Sequence, residues 1–244
     1  MKPFLILQLR PEDETADHEF EAILKYGAID RQETVRIRIE ETGIPKVDLD
    51  KYSAVIVGGS PFDVSKPEHE KSPVQKKIED GFNHLFDVIT ECDFPFLGVC
   101  SGNGLLGNYC GATISGKYRE PVGGVDIWLT GEGKRDPLLK GLPTSFRALV
   151  GHKEACDTTP PGAVLLAISE PCPVQMFRVK ENIYATQFHP EGDAEGFILR
   201  VNIYRHHGYF PAEEADGLIK RIQKEDTPVP KKILERFVKR YRSD

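Results

Sequence analysis

One cysteine in this sequence is set as a nucleophile would be set. Gly98-Val99-Cys100-Ser101-Gly102 has the form Gly-x-nucleophile-x-Gly, directly after the apolar run Pro95–Val99 and before a predicted helix. Flanking glycines let the backbone turn sharply, so that a thiol stands clear at the end of a strand. A sulfur at a helix N-terminus is also favoured as thiolate by the helix dipole. An isolated cysteine is more often a small core residue. The two glycines and the position after a strand argue against that here.

A thiol nucleophile needs a base, and the base needs an orienting group. Gln187-Phe188-His189-Pro190-Glu191 supplies both: His189 emerges at the end of the predicted strand Asn182–Phe188, and Glu191 is close enough to fix its tautomer. Acyl transfer further requires hydrogen-bond donors aimed at the developing oxyanion. The amide of Ser101, next to the nucleophile, is one candidate. The amide of Gly59 in the Gly58-Gly59 turn is the other.

A competing motif overlaps this one. Gly102-Asn103-Gly104-Leu105-Leu106-Gly107 matches the Gly-x-Gly-x-x-Gly pattern of dinucleotide-binding loops. The pattern comes late in the chain, and no acidic residue clearly ends a second parallel strand about twenty residues on, where ribose recognition needs it. Asp126 lies inside the predicted strand Val122–Leu129 instead. No nucleotide or other cofactor is therefore expected, and no metal.

The elements that must position these residues alternate. Phe4–Leu9 reads as a buried strand, and His18–Tyr26 as a helix with Gly27 as its cap. Thr34–Ile39 alternates like a strand with one wet face, and Ala54–Val57 runs into the Gly58-Gly59-Ser60-Pro61 turn. Ser72-Pro73 reads as N-cap and first residue of a long helix whose stripe is Val74, Ile78, Phe82, Leu85, Phe86 and Ile89. Strands are then predicted at Val122–Leu129, Ser145–Val150, Ala163–Ile168, Val174–Val179 and Asn182–Phe188, with a hairpin turn at Lys180-Glu181-Asn182. The expected fold is α/β: a mostly parallel central sheet with helices on both faces, extra antiparallel strands and a C-terminal helical extension. Residues 1–200 would form the domain, and residues 201–244, punctuated by Pro211, Pro228 and Pro230, the extension packed on it.

Composition narrows the function classes. A formal charge of -6 argues against a general affinity for nucleic acid or anionic membrane. The basic stretch Lys231–Arg242 reads as a solvated helix face. No segment approaches the roughly 20 apolar residues that cross a bilayer. The five cysteines are odd in number and lack the spacings of a zinc site or a disulfide framework. Reduced thiols and a cytoplasmic location are expected.

Phe94-Pro95-Phe96-Leu97-Gly98-Val99-Cys100-x-Gly102, the Gly58-Gly59 turn and Tyr184-Ala185-Thr186-Gln187-Phe188-His189-Pro190-Glu191 together resemble the class I glutamine amidotransferases, most closely their GMP synthase-like stand-alone branch. The likeness covers roughly residues 1–200. It implies a flavodoxin-like fold and a Cys-His-Glu triad that removes ammonia from glutamine through a γ-glutamyl thioester. Cys100 would be the nucleophile, His189 the general base and acid, and Glu191 its orienter. It also implies substrate contacts near Gly58, Gly102, Gly104 and, through the Gly151-His152-Lys153-Glu154 loop, His152. One position departs from the family: where it usually carries a glutamine that helps hold the substrate's amino-acid head, this chain has Gly104. No ATP-pyrophosphatase motif follows, so ammonia would pass to a separate synthase partner or to water. Two other readings stay open: a γ-glutamyl peptidase acting on glutathione-like compounds, and a non-catalytic regulatory or binding module that keeps the fold.

Overall fold

The computed structural model describes residues 2–206 and 210–243. Strands β1 (Phe4–Gln8), β2 (Thr34–Arg38), β3 (Val55–Val57) and β4 (Phe96–Val99) alternate with helices α1 (Asp13–Gly27), α2 (Ile39–Thr42) and α3 (Pro73–Cys92). Helix α4 (Ser101–Tyr109) begins immediately after Cys100. A strand-rich stretch follows: β5 (Ile114–Ser115), β6 (Glu120–Leu129), α5 (Gly131–Arg135), β7 (Ser145–His152), β8 (Ala155–Cys156), β9 (Val164–Ile168), β10 (Met176–Val179) and β11 (Ile183–Thr186). Helices α6 (Ala194–Ile203), α7 (Ala215–Ile222) and α8 (Pro228–Tyr241) close the chain.

Nine strands form one sheet in the order β2-β1-β3-β4-β11-β10-β9-β6-β7, and β5 pairs with β8 apart from it. The first five are parallel, as the expected architecture requires, and β10, β9, β6 and β7 continue the sheet antiparallel. Successive side chains of a strand point to opposite faces, and here both faces are covered. Phe4 and Ile6 of β1 join a core with α1 and α8, while Leu5 and Leu7 join a second core with α3 and α4. Helix α8 buries Ile233, Leu234, Phe237 and Val238 in the first of these cores. Burial of one such side chain contributes roughly 1.5–3 kcal/mol, so α8 helps hold this face of the sheet together.

Local signals act as the sequence indicates at Ser72, whose side chain accepts from the Gln75 amide with Pro73 at the first helical position. They differ at the end of α1. Gly27 remains helical, and the left-handed residue is Ala28, φ 51°, whose amide bonds Leu24 O. Gly27 is instead a close-packing position, because a Cβ there would lie 3.2 Å from Val238 of α8. The hairpin between β10 and β11 turns at Lys180, which has φ 50°.

The register of β4 against β11 positions the chemistry. Val99 pairs with Thr186, and the Cys100 amide donates to Thr186 O at 2.8 Å. Cys100 and Gln187 thus leave the sheet side by side at the carboxyl ends of neighbouring parallel strands, with His189 two residues further on. Sites of open α/β sheets form at this edge. Among the described residues no helix is long and apolar enough to cross a membrane.

Candidate active site

Cys100 sits at φ 53°, ψ -98°, between β4 and the first turn of α4. The glycine before it is needed for this bend, because a Cβ on Gly98 would lie 2.7 Å from Gly102 O. The side chain is partly exposed and borders two clefts. Gln187 Nε2 lies 3.9 Å from Sγ. Burial is the strongest influence on the thiol and pushes it up to about 12, against the opposing pull of Arg10 and Arg200. Burial thus opposes the stabilisation of thiolate that the start of α4 would give.

His189 has the form a general base needs. His189 borders the same cleft as Cys100. Its Nδ1 lies 2.7 Å from Glu191 Oε1. A carboxylate can only accept, so Nδ1 carries the hydrogen and Nε2 keeps its lone pair. Arg200 Nη1, 3.4 Å from the same Nδ1, then packs beside the ring without donating to it. Burial lowers the imidazole below its ordinary value, with Glu191 pulling the other way, so the ring is neutral at pH 7. Burial alone would raise the Glu191 carboxyl, but His189 and Arg200 outweigh it and hold Glu191 well below the usual carboxylate range. Phe197 of α6 packs edge-on against the ring, with centroids 5.2 Å apart.

Behind His189 and Glu191 lies a buried charge network that sequence reasoning missed. Arg10, just after β1, donates from Nε to Glu19 Oε2 at 2.6 Å, and Gln8 Nε2 reaches Glu19 Oε1 at 3.1 Å. Arg200 Nη2 lies 3.3 Å from Glu191 Oε1 and 3.6 Å from Glu19 Oε2. Two guanidinium and two carboxylate groups thus share one desolvated region. The available signal was positional: Arg10 directly follows an apolar strand, at the sheet edge where sites form.

This network alters the role of the Gly58-Gly59 turn. The Gly59 amide, a candidate oxyanion donor, donates instead to Glu19 Oε2 at 3.2 Å. The turn needs small residues because it is crowded. A Cβ on Gly58 would lie 2.1 Å from Glu19 Oε1, and one on Gly59 would lie 2.4 Å from Arg10 Nη2 and 3.2 Å from His189 Cε1. The Ser101 amide is in the first turn of α4, where no helical carbonyl can take it.

Of the residues expected to touch substrate, Gly104 and His152 line the first cleft beside Cys100, Ser101, Lys153 and Glu154. Gly58 and Gly102 do not line either cleft: Gly58 packs on Glu19, and Gly102 lies against Val57. The His152 ring is buried, and both its nitrogens are engaged, Nδ1 2.9 Å from Glu154 O and Nε2 2.7 Å from Glu120 Oε2. Glu154 in turn accepts from the Val64 and Ser65 amides at 2.6 and 2.8 Å, tying the loop after Gly59 to the cleft. Among the described residues, Glu120, His152 and Cys172 bring ligand atoms within 4.8 Å of one another. Each already bonds protein, with Cys172 donating to Val174 O and Glu120 also accepting from Gln175 and Ser169.

Residues 17–197 match the family model for glutamine amidotransferase class-I. The chain is 30% identical over 197 residues to a glutamine-hydrolyzing GMP synthase of Thermosipho africanus, covering 73% of this chain and 35% of that protein. It is 33% identical over 108 residues to a subunit of the glutamine-hydrolyzing GMP synthase of Pyrococcus abyssi, covering 44% of this chain and 56% of that one. It thus spans well under two thirds of these curated relatives. A crystal structure described as a glutamine amidotransferase from Thermotoga maritima superposes with a TM-score of 0.76 at 21% identity, covering 99% of both chains, which shows a shared fold.

Proposed function

The chain belongs to the class I glutamine amidotransferases, and we propose from this premise that it hydrolyses the γ-carboxamide of glutamine through a γ-glutamyl thioester on Cys100. The supporting observation is a partly open elbow thiol sharing a cleft with a neutral, carboxylate-held imidazole. In this reading Sγ adds to the γ-carbonyl carbon as His189 Nε2 takes the thiol proton. The C–N bond then breaks as that proton passes to the departing nitrogen. Water adds to the thioester, giving a proton to His189, and the C–S bond breaks as sulfur recovers it. Glu191 keeps the ring oriented and stabilises it while charged.

The Ser101 amide is the first oxyanion donor. Gly59 can be the second only by exchanging its bond to Glu19 for one to the intermediate, which makes Glu19 a brake on premature closure of the hole. The glutamyl head would occupy the cleft of Gly104, His152, Lys153 and Glu154. A relative that is one of the subunits of a GMP synthase supports the passage of ammonia to a separate synthase partner. The intact triad disfavours a purely regulatory module. Release of ammonia and glutamate from glutamine, abolished in Cys100→Ala, is the expected result; release undiminished in that variant would overturn the reading.

A further inference from the structure

Arg200 stands between the two carboxylates of the site. A single nitrogen, Nη2, lies 3.3 Å from Glu191 Oε1 and 3.6 Å from Glu19 Oε2. The guanidinium lies over the Phe197 ring, its carbon 5.0 Å from the centroid, and Phe197 packs edge-on against His189. It is thereby held beside the imidazole, with Nη1 3.4 Å from Nδ1. At one end of its reach is the carboxylate that orients the base. At the other is the carboxylate that occupies the Gly59 amide.

Protonation of the ring changes the balance between those ends. His189 Nδ1 and Arg200 Nη2 converge on the same oxygen, Glu191 Oε1, at 2.7 and 3.3 Å. While the ring is neutral, the two donors share that oxygen without repulsion. Once Nε2 holds the thiol proton, an imidazolium and a guanidinium lie 3.4 Å apart in a buried site, where like charges repel far more strongly than in water. The shorter bond keeps the ring on Glu191, and Arg200 is pushed toward Glu19. Glu19 Oε2 then receives a second guanidinium besides Arg10, whose Nε is 2.6 Å away. Charge-assisted bonds displace a neutral one, and the neutral one is the Gly59 amide at 3.2 Å.

We infer that Arg200 is a positioning residue that couples the base to the oxyanion donor: protonation of His189 drives it onto Glu19 and frees the Gly59 amide. The donor becomes available in the step that creates the charge it must stabilise. Before that step the amide stays satisfied on Glu19. No covalent bond is made or broken beyond those of hydrolysis: the proton is the one that Sγ gives to Nε2, and the Gly59 N–H exchanges one acceptor for another. The coupling rests on the hydrolytic reading of Cys100 and His189, and it names what releases the hold of Glu19 on the turn.

The test sets two reactions of Cys100 side by side in the full chain: hydrolysis of glutamine, which builds an oxyanion, and alkylation by iodoacetamide, which needs the thiolate and builds none. Arg200→Met should lower kcat for glutamine by about 10²–10³-fold, the loss that follows removal of one oxyanion donor. KM and the alkylation rate should each change by less than about threefold. Arg200→Lys keeps the charge but lacks the planar fork that reaches both carboxylates, so its ratio of hydrolysis to alkylation should fall between those of wild type and Arg200→Met. Should Arg200→Met not fold, a ratio below wild type in Arg200→Lys supports the coupling and an unchanged ratio overturns it. Equal losses in both reactions overturn it too, since they place the defect in the base, as does undiminished kcat in Arg200→Met. A wild-type chain that is alkylated at Cys100 yet releases no ammonia from glutamine removes the hydrolytic reading and the coupling with it.

Discussion

Among the described residues are two buried histidine–carboxylate pairs of nearly the same geometry. His189 Nδ1 lies 2.7 Å from Glu191, with side chains 3% and 2% exposed, and His152 Nε2 lies 2.7 Å from Glu120, with side chains 3% and 1% exposed. Distance and burial do not distinguish them. The second nitrogen does: His152 spends its own on Glu154 O, whereas His189 shares a cleft with Cys100. A carboxylate behind an imidazole is therefore a weak mark of catalysis. What the other edge of the ring can reach separates a positioned base from a structural strut.

The comparison breaks or sharpens under substitution. The largest effect is expected at the nucleophile, where Cys100→Ala should lower glutamine turnover by about 10⁴-fold or more, read as ammonia release. Glu191→Gln should lower kcat by about 10²–10⁴-fold, because a neutral amide no longer stabilises the charged ring. The matching change on the other pair, Glu120→Gln, should instead cost about 1–3 kcal/mol of unfolding free energy, read by denaturant titration, with kcat reduced less than about tenfold. Comparable losses of kcat from both carboxylates would erase the distinction between the pairs. The smallest effect is a displacement in pH. The His189 imidazole is lowered from 6.5, so it stays neutral as the pH falls past that value, and the acid limb of kcat/KM should inflect below 6.5. Glu191 is the group that raises the ring, so Glu191→Gln should move the residual inflection lower still.

The meeting of Cys100 with the His189–Glu191 pair at one cleft was legible because each sits in a short motif at the end of an apolar run, and the rule that sites gather at the carboxyl edge of parallel strands brings the two runs together. The long helix α3 was legible from its cap and from its stripe of Ile78, Phe82, Leu85, Phe86 and Ile89, whereas Val74, read as part of that stripe, is exposed in the first turn. Glu19, Arg10 and Arg200 were not. Each is a charged residue on a different element, and charged residues are usually solvated; only the assembled fold shows that they neutralise one another in the interior. The engagement of the Gly59 amide was hidden for the same reason, since it depends on where α1 places Glu19. The resting state of the thiol depends on desolvation by the same surroundings, which no sequence motif records.

The backbone at Cys100 also forecasts how a descendant freed from catalysis would change. A side chain at φ 53° costs about 1–2 kcal/mol relative to glycine, so once hydrolysis no longer matters, replacement of this cysteine by glycine raises the melting temperature above that of an alanine-bearing sibling. Pseudoenzymes of this lineage should accordingly show glycine at the elbow.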